Sequence, residues 1–223
     1  NLAHINSEGV LYDWNPEANG DVNTIVIEGP TMYVGGSFTS IGGESRNFIA
    51  AIDVATGAAT SWNPDSDDSV NTIFVSGSLV YAGGEFQNIG GQTRLTIAAL
   101  DASSGNATDW NPGGLSTSVY SILADGSTVY VGGDFSQMGG QTRNGLAAID
   151  AATGLATDWN PDPQGYILTM AINGTKLYVG GDFSQIGGVA RGRAAAFELS
   201  TGTLTAWNPD ADSSVGAIGF IGP

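Results

Sequence analysis

Cysteine is absent from this chain of 223 residues, so neither disulfides nor thiolate metal ligands can hold it together. Histidine and lysine occur once each, as His4 and Lys176, which leaves no nucleophile–base pair and no transition-metal cage to assemble. Basic residues number 6 against 22 acidic ones, a net charge of −16. A field of that sign repels nucleic acid and anionic lipid and favours solubility. No apolar run reaches the length of a membrane span, so no membrane insertion is expected. Nowhere do apolar residues keep a 3.6-residue period between caps, and almost no helix is expected. No charged-then-apolar leader precedes Asn1, and any export signal is expected to have been removed or to lie outside these residues.

Glycine, by contrast, is plentiful at 34 residues, and it recurs in fixed places. The phrase "MYVGGSFTSIGG" from Met32 returns as "VYAGGEFQNIGG" from Val80, "VYVGGDFSQMGG" from Val129 and "LYVGGDFSQIGG" from Leu177. "WNP" begins at Trp14, Trp62, Trp110, Trp159 and Trp207, a period of 48, 48, 49 and 48 residues. Each unit reads as four short strands: "VNTIFVSG" from Val70, "LVYAGGEF" from Leu79, "TIAALD" from Thr96 and "NATDW" ending at Trp110. Four strands at a period of about 48 residues are the signature of an all-β β-propeller with four-stranded blades. A single domain over residues 1–223 is expected, with four full repeats from Trp14, Trp62, Trp110 and Trp159 and partial ones at both ends.

The glycines then have structural work. Gly35-Gly36 and its copies end an apolar strand, where a missing Cβ lets neighbouring blades approach. Gly42-Gly43 and its copies sit before the third strand, where positive φ is expected. A phosphate-binding loop would need a following helix, and none follows. "DVATG" from Asp53, with "DASSG", "DAATG" and "ELSTG" in phase, reads as a hairpin with its glycine left-handed. Trp62, Trp110, Trp159 and Trp207 offer flat faces for blade packing or, alternatively, for sugar stacking.

These motifs resemble the delta-60-type repeat propellers of bacteria, whose pattern "VYVGGxFxxIGGxxRxxIAxLDxxTGxxTxWNP" covers essentially the whole chain. The resemblance implies a secreted or surface-anchored bacterial protein, often large and modular, without a defined biochemical role. A weaker similarity is to quinoprotein propellers. Ala51, Asp53, Thr56 and Gly57 fit their docking motif, but Trp62 comes one residue late, which argues against a quinone. The double glycine is also kelch-like in layout.

Aligned on Trp14, the chain opens with third and fourth strands, "LAHIN" and "GVLYDW", and closes with a lone first strand, "SVGAIGFIG" from Ser214. Either the ends join in a three-stranded fifth blade, or these residues belong to a longer propeller with further domains of the same polypeptide. His4 falls where other units carry Ile52, Leu100, Ile149 and Phe197, a core-type position.

Arg46, Arg94, Arg143 and Arg191 stand one per unit and imply a fixed partner. Repeated ion pairs are expected, either with Asp53, Asp101, Asp150 and Glu198 or with the acid after the double glycine (Glu85, Asp134, Asp182). The loops after "WNP" are where units differ, and they are the expected seat of any private function. In them Asp65, Asp67 and Asp68, and likewise Asp210 and Asp212, have the alternating oxygens that calcium accepts, though without an EF-hand's glycine and distal glutamate. Calcium is therefore the one candidate ion, and no other cofactor is expected. Catalysis needs unlike acids in unlike settings, whereas these acids are copies, so no catalytic site is expected. The expected function is a non-catalytic adhesion or protein-interaction module, extracellular or on the bacterial surface, whose partners are other protein modules or surface glycans. A lectin-like propeller is the alternative, and a propeller glycosidase a further one.

Overall fold

The computed structural model describes residues 2–3, 7–9, 14–114 and 116–220. It divides into two compact units, Asn1–Asp109 and Trp110–Pro223. His4 and most of "LAHIN" and "GVLYDW" lie outside the described residues.

Each unit holds two antiparallel three-stranded sheets with the second strand central. In the first unit these are Val22–Glu28, Thr31–Gly36 and Ile49–Asp53, then Val70–Ser76, Leu79–Gly84 and Ile97–Asp101. In the second they are Ser116–Asp125, Thr128–Phe135 and Leu146–Asp150, then Gly165–Asn173, Lys176–Phe183 and Ala194–Glu198. No helix occurs among the described residues, as the missing 3.6-residue period predicts. The second and third strands are buried on both faces, which is why they read as near-continuous apolar runs rather than alternating ones.

Two strand expectations need correction. The fourth strand is a single bridge in each repeat, such as Leu100 to Ala107. Its N–H groups are divided: Thr108 donates to Ala99 of the third strand, but Ala107 donates to Gly90 in the glycine loop, so no ladder extends. The segment from Ser214 is also not a strand over its described residues 214–220. A first strand takes its ladder from the "YxGGxF" strand after it, and none follows Ser214 within these 223 residues. What remains is one bond, from Val215 N–H to the Gly181 carbonyl at 3.0 Å.

The glycines do the expected work. A Cβ on Gly35 would lie 2.7 Å from Val70 Cγ1, and one on Gly132 2.8 Å from Ile167 Cγ2, so each first glycine admits the next repeat's first strand. Gly42, Gly90, Gly139 and Gly187 all have φ near +60°, between 59° and 64°. Their N–H groups take the carbonyls of Pro16, Pro64, Pro112 and Pro161, with 2.7 Å at Gly90 and Gly139. A Cβ on Gly90 would collide with the backbone nitrogen of Ala107.

"WNP" is thus a clasp. Its proline carbonyl holds the next repeat's glycine loop, and its indole N–H holds the next repeat's turn. Trp62 Nε1 donates to the Asp101 carbonyl at 3.0 Å, Trp110 to Asp150 at 3.1 Å and Trp159 to Gly202 at 2.8 Å. Trp62 and Trp110 are buried, and Tyr33 meets the Trp62 ring edge-on at 5.1 Å. Blade packing, rather than a sugar platform, is where these two rings are placed. Trp207 is 41% exposed and leans on Tyr178.

The two glycines of one loop separate strain from collision. Both Gly90 and Gly91 have positive φ, but a Cβ on Gly91 meets nothing. In chemical denaturation Gly91→Ala is expected to cost about 1 kcal/mol, the left-handed penalty alone, and Gly90→Ala about 3 kcal/mol or more. Equal losses would refute the clasp geometry.

Candidate functional site

The four in-phase arginines do not form the expected ion pairs. Arg46 Nη1 donates to the Ser45 carbonyl and Nη2 to Thr60, both at 2.7 Å. Arg94 spans Thr93 and Thr108, Arg143 spans Thr142 and Thr157, and Arg191 spans Ala190 and Thr205 in the same way. Each guanidinium thus ties the loop before the third strand to the backbone ahead of the tryptophan. Carbonyls at strand ends lack ladder partners, and a fork of donors satisfies two at once.

The acids expected to receive them serve the turns instead. Asp53 Oδ1 accepts from the Thr56 amide and hydroxyl, both at 2.8 Å, and Asp150 does the same with Thr153. Asp101 accepts from the Ser103 hydroxyl at 2.5 Å and from the Ser104 amide and hydroxyl at 2.8 Å. These bonds, the Ser103 hydroxyl first, hold the Asp101 carboxyl down to about 2, and Asp53 and Asp150 are lowered in the same way. Glu198 is the exception in chemistry: it pairs with Lys176 at 3.0 Å, which lowers its carboxyl.

The loops after "WNP" are where the repeats part company. Glu17, Asp65, Asp162 and Asp210 share a left-handed backbone, with φ between 43° and 54°. Asp65 Oδ1 accepts from Asn47 Nδ2 at 2.8 Å, and Asp162 from Asn144 at 2.7 Å. Asp67 is occupied by its neighbours: Oδ1 takes the Gln87 and Asn88 amides, and Oδ2 the Asn88 side chain at 2.7 Å. Burial raises its carboxyl, and the Asn88 and Gln87 bonds together outweigh that, so it ends lowered. Asp68 turns to the Ser69 amide at 2.7 Å. Among the described residues no three of His, Cys, Asp or Glu converge as a metal cage requires, so Asp65, Asp67 and Asp68 are not brought together, nor are Asp210 and Asp212 joined by a third acid.

Two open cavities border these loops. One, of about 880 Å³ in the first unit, is lined by Asp65, Ser66, Asp67 and the Asn88–Thr93 hairpin. The other, of about 620 Å³ in the second unit, is lined by Thr117, Asp134, Ser136, Asn144 and the Pro163–Tyr166 loop. The Tyr166 ring meets Tyr120 edge-on at 6.4 Å. Sequence reasoning missed both tyrosines, because each is a departure from its repeat (Ser118 and Asn71 stand at the matching places) rather than part of the pattern.

It also missed a strained position. Phe48, Thr96 and Arg193 adopt φ of 63°, 61° and 58° just before the third strand, where the remaining repeat has Gly145. Each is held from both sides. Thr96 N–H donates to Phe86 at 2.8 Å and its carbonyl accepts from Gly84 at 2.9 Å, and the other repeats copy both bonds. A single glycine in four repeats was the one available signal.

Two outcomes follow from this geometry. Arg143, 9% exposed, should lose about 1–3 kcal/mol of stability as Arg143→Lys, because an ammonium cannot bridge both carbonyls; an unchanged melting curve would contradict the bridge. Ser103→Ala copies Ala55 and Ala152 of other repeats. It should move the Asp101 titration up from about 2, as followed by NMR. A lowered carboxyl adds stability above the ordinary carboxylate range and loses it as pH falls. The difference between parent and variant should therefore be full at neutral pH and gone below about 2.

No curated protein matches the chain. Among solved structures, a chain of the Mitotic Checkpoint Complex aligns at a TM-score of 0.66 and 15% identity, over 94% of this chain and 58% of its own length. The computationally designed Ika4 protein aligns at 0.53 and 13%, over 86% and 93%. An extracellular domain assigned to a one-component system of B. thetaiotaomicron aligns at 0.56 and 16%, over 92% of this chain and 27% of its own. This chain therefore spans little more than half of the first and about a quarter of the last. At such identities the likeness concerns fold alone, a β-propeller repeat fold. Residues 13–209 match the family model described as outer membrane protein assembly factor BamB, and the chain belongs to that family.

Proposed function

We propose that this chain is a non-catalytic protein-interaction module of a secreted or surface-exposed bacterial protein. In this reading its repeats are four-stranded blades of about 48 residues of the delta-60 type. One observation carries it: the frame's arginines and turn acids are committed to backbone and turns, while the residues that differ between repeats border open cavities. A frame satisfied from within can hold divergent loops in fixed positions, which is what a display surface requires. The family's description as an assembly factor for outer membrane proteins supports both the envelope location and a protein as the partner. Open, shallow hollows suit a partner's surface better than an enclosed small molecule.

The reading is tested by cross-linking the purified chain to proteins of a bacterial envelope extract and mapping the sites. Cross-links are expected in peptides holding residues 65–68 and 162–166. The same preparation goes onto a hydrolase substrate panel and a glycan array. Turnover that Asp134→Asn abolishes would make this an enzyme, and strong multivalent glycan binding would make it a lectin; either overturns the proposal.

A further inference from the structure

The 620 Å³ cavity of the second unit is one corner of a repeat, and the same corner recurs with other contents. Its first position is the residue after "YxGG": Ser37, Glu85, Asp134 and Asp182 in turn. Its second is the residue before the next repeat's first valine or isoleucine, which is Ser69 for Ser37 and Tyr166 for Asp134. In the first unit the corner is closed by a hydrogen bond, Ser37 Oγ to Ser69 Oγ at 3.0 Å. In the second unit Asp134 and Tyr166 replace both serines and line an open cavity.

The last repeat shows what an acid at this corner takes. Arg193 rises from the strained position before the third strand, and its Nε lies 3.4 Å from Asp182 Oδ1. Its Nη1 lies 3.4 Å from the carbonyl of Ala211, in the loop after "WNP". A guanidinium is thus lodged between the acid and that loop. One repeat earlier Gly145 occupies the place of Arg193 with the same φ of 58°, and it supplies no side chain. Asp134 matches Asp182 and Pro163 matches Ala211, and both line the cavity. Asp134 belongs to neither of the two ion pairs, Lys176–Glu198 and Arg193–Asp182, found among the described residues.

We propose that this cavity takes the guanidinium of an arginine carried by an extended segment of a protein partner, at the place that Arg193 fills in the following repeat. The inference rests on the protein-interaction reading above. Asp134 offers a carboxylate for the planar fork, and the Tyr166 ring, braced by Tyr120, offers a stacking face that no other repeat has at that position. No cationic side chain lines the cavity, and a net charge of −16 draws a cationic group toward it. Arginine suits the corner better than lysine because its guanidinium is flat, forked and weakly hydrated.

The test titrates the full chain with N-acetyl-arginine methylamide, with the neutral citrulline analogue and with N-acetylglucosamine, following the Gly145 and Tyr166 resonances by NMR. Saturable shifts are expected with the arginine probe, about tenfold weaker binding with citrulline or in Asp134→Asn, and weakening as salt is raised. Asp134→Ser, which copies Ser37 of the first repeat, gives the same loss on a side chain the fold already accepts. Tyr166→Ser, which copies Ser69, should weaken binding further without altering the salt dependence. Equal binding of arginine and citrulline, indifference to Asp134→Asn, no saturable shift, or shifts from N-acetylglucosamine alone would each overturn the proposal. If cross-links still map to the loops when the probe fails, only the guanidinium site falls; if both fail, the protein-interaction reading falls with it.

Discussion

The interaction on which the rest depends is a backbone hydrogen bond: the proline carbonyl of each "WNP" accepting from the first glycine of the next double-glycine loop. That bond requires a left-handed glycine with no Cβ, since the adjoining alanine's backbone nitrogen already fills the space in three repeats. It therefore fixes "GG" and "WNP" together, one in each repeat, at constant spacing. The indole bond to the following turn adds a second point, so each junction is held at two places some distance apart and cannot pivot. A buried carbonyl left without its donor costs about 1–3 kcal/mol, more than a single such bond contributes net when formed. The constraint works chiefly by excluding alternatives.

How far the sequence discloses this follows from what leaves a mark in residue types. Left-handed turns do, because glycine is the cheap way to make them, and Gly57, Gly105, Gly154 and Gly202 all have φ between 66° and 79° as the "TG" turns predict. Close approach does as well, through Gly35, Gly132 and Gly180. Carbonyl acceptors leave none. An arginine recurring in an acidic chain suggests a carboxylate, yet Arg46, Arg94, Arg143 and Arg191 bind main-chain oxygens that any residue could supply. Strain is equally silent when bulky residues bear it. Phe48, Thr96 and Arg193 would be turned away from positive φ by propensity, and the two hydrogen bonds that hold each come from strands remote in sequence. The candidate site was the least legible part, because repetition hides the positions that break it.

Those positions become readable once structure lets one repeat be laid on another. Ser37 with Ser69, Asp134 with Tyr166 and Asp182 with Arg193 are three fillings of one corner on one frame. The clasp touches none of these side chains, so the corner can change without disturbing the junction. A repeat fold separates its stability from its variable surface in this way: each junction is satisfied locally, and substitutions elsewhere in the unit carry little penalty.

Charge completes the separation. Of the six basic residues, four arginines point their guanidinium groups at main-chain carbonyls, while Arg193 and Lys176 are paired with Asp182 and Glu198. Every cation is thus engaged by the frame. The acids divide otherwise: a few brace turns, and the remainder face water. The surface that a partner meets is therefore more uniformly negative than even a net charge of −16 suggests, because the positive charges that would dapple it are held against the backbone. Such a field discriminates by sign before any contact forms, raising encounter with cationic groups and suppressing it with nucleic acids and anionic lipids. What the local corners then add is shape. An acid beside an aromatic ring in one repeat, and a paired or closed corner in its neighbours, turns a diffuse preference for positive charge into a preference for one position on the molecule.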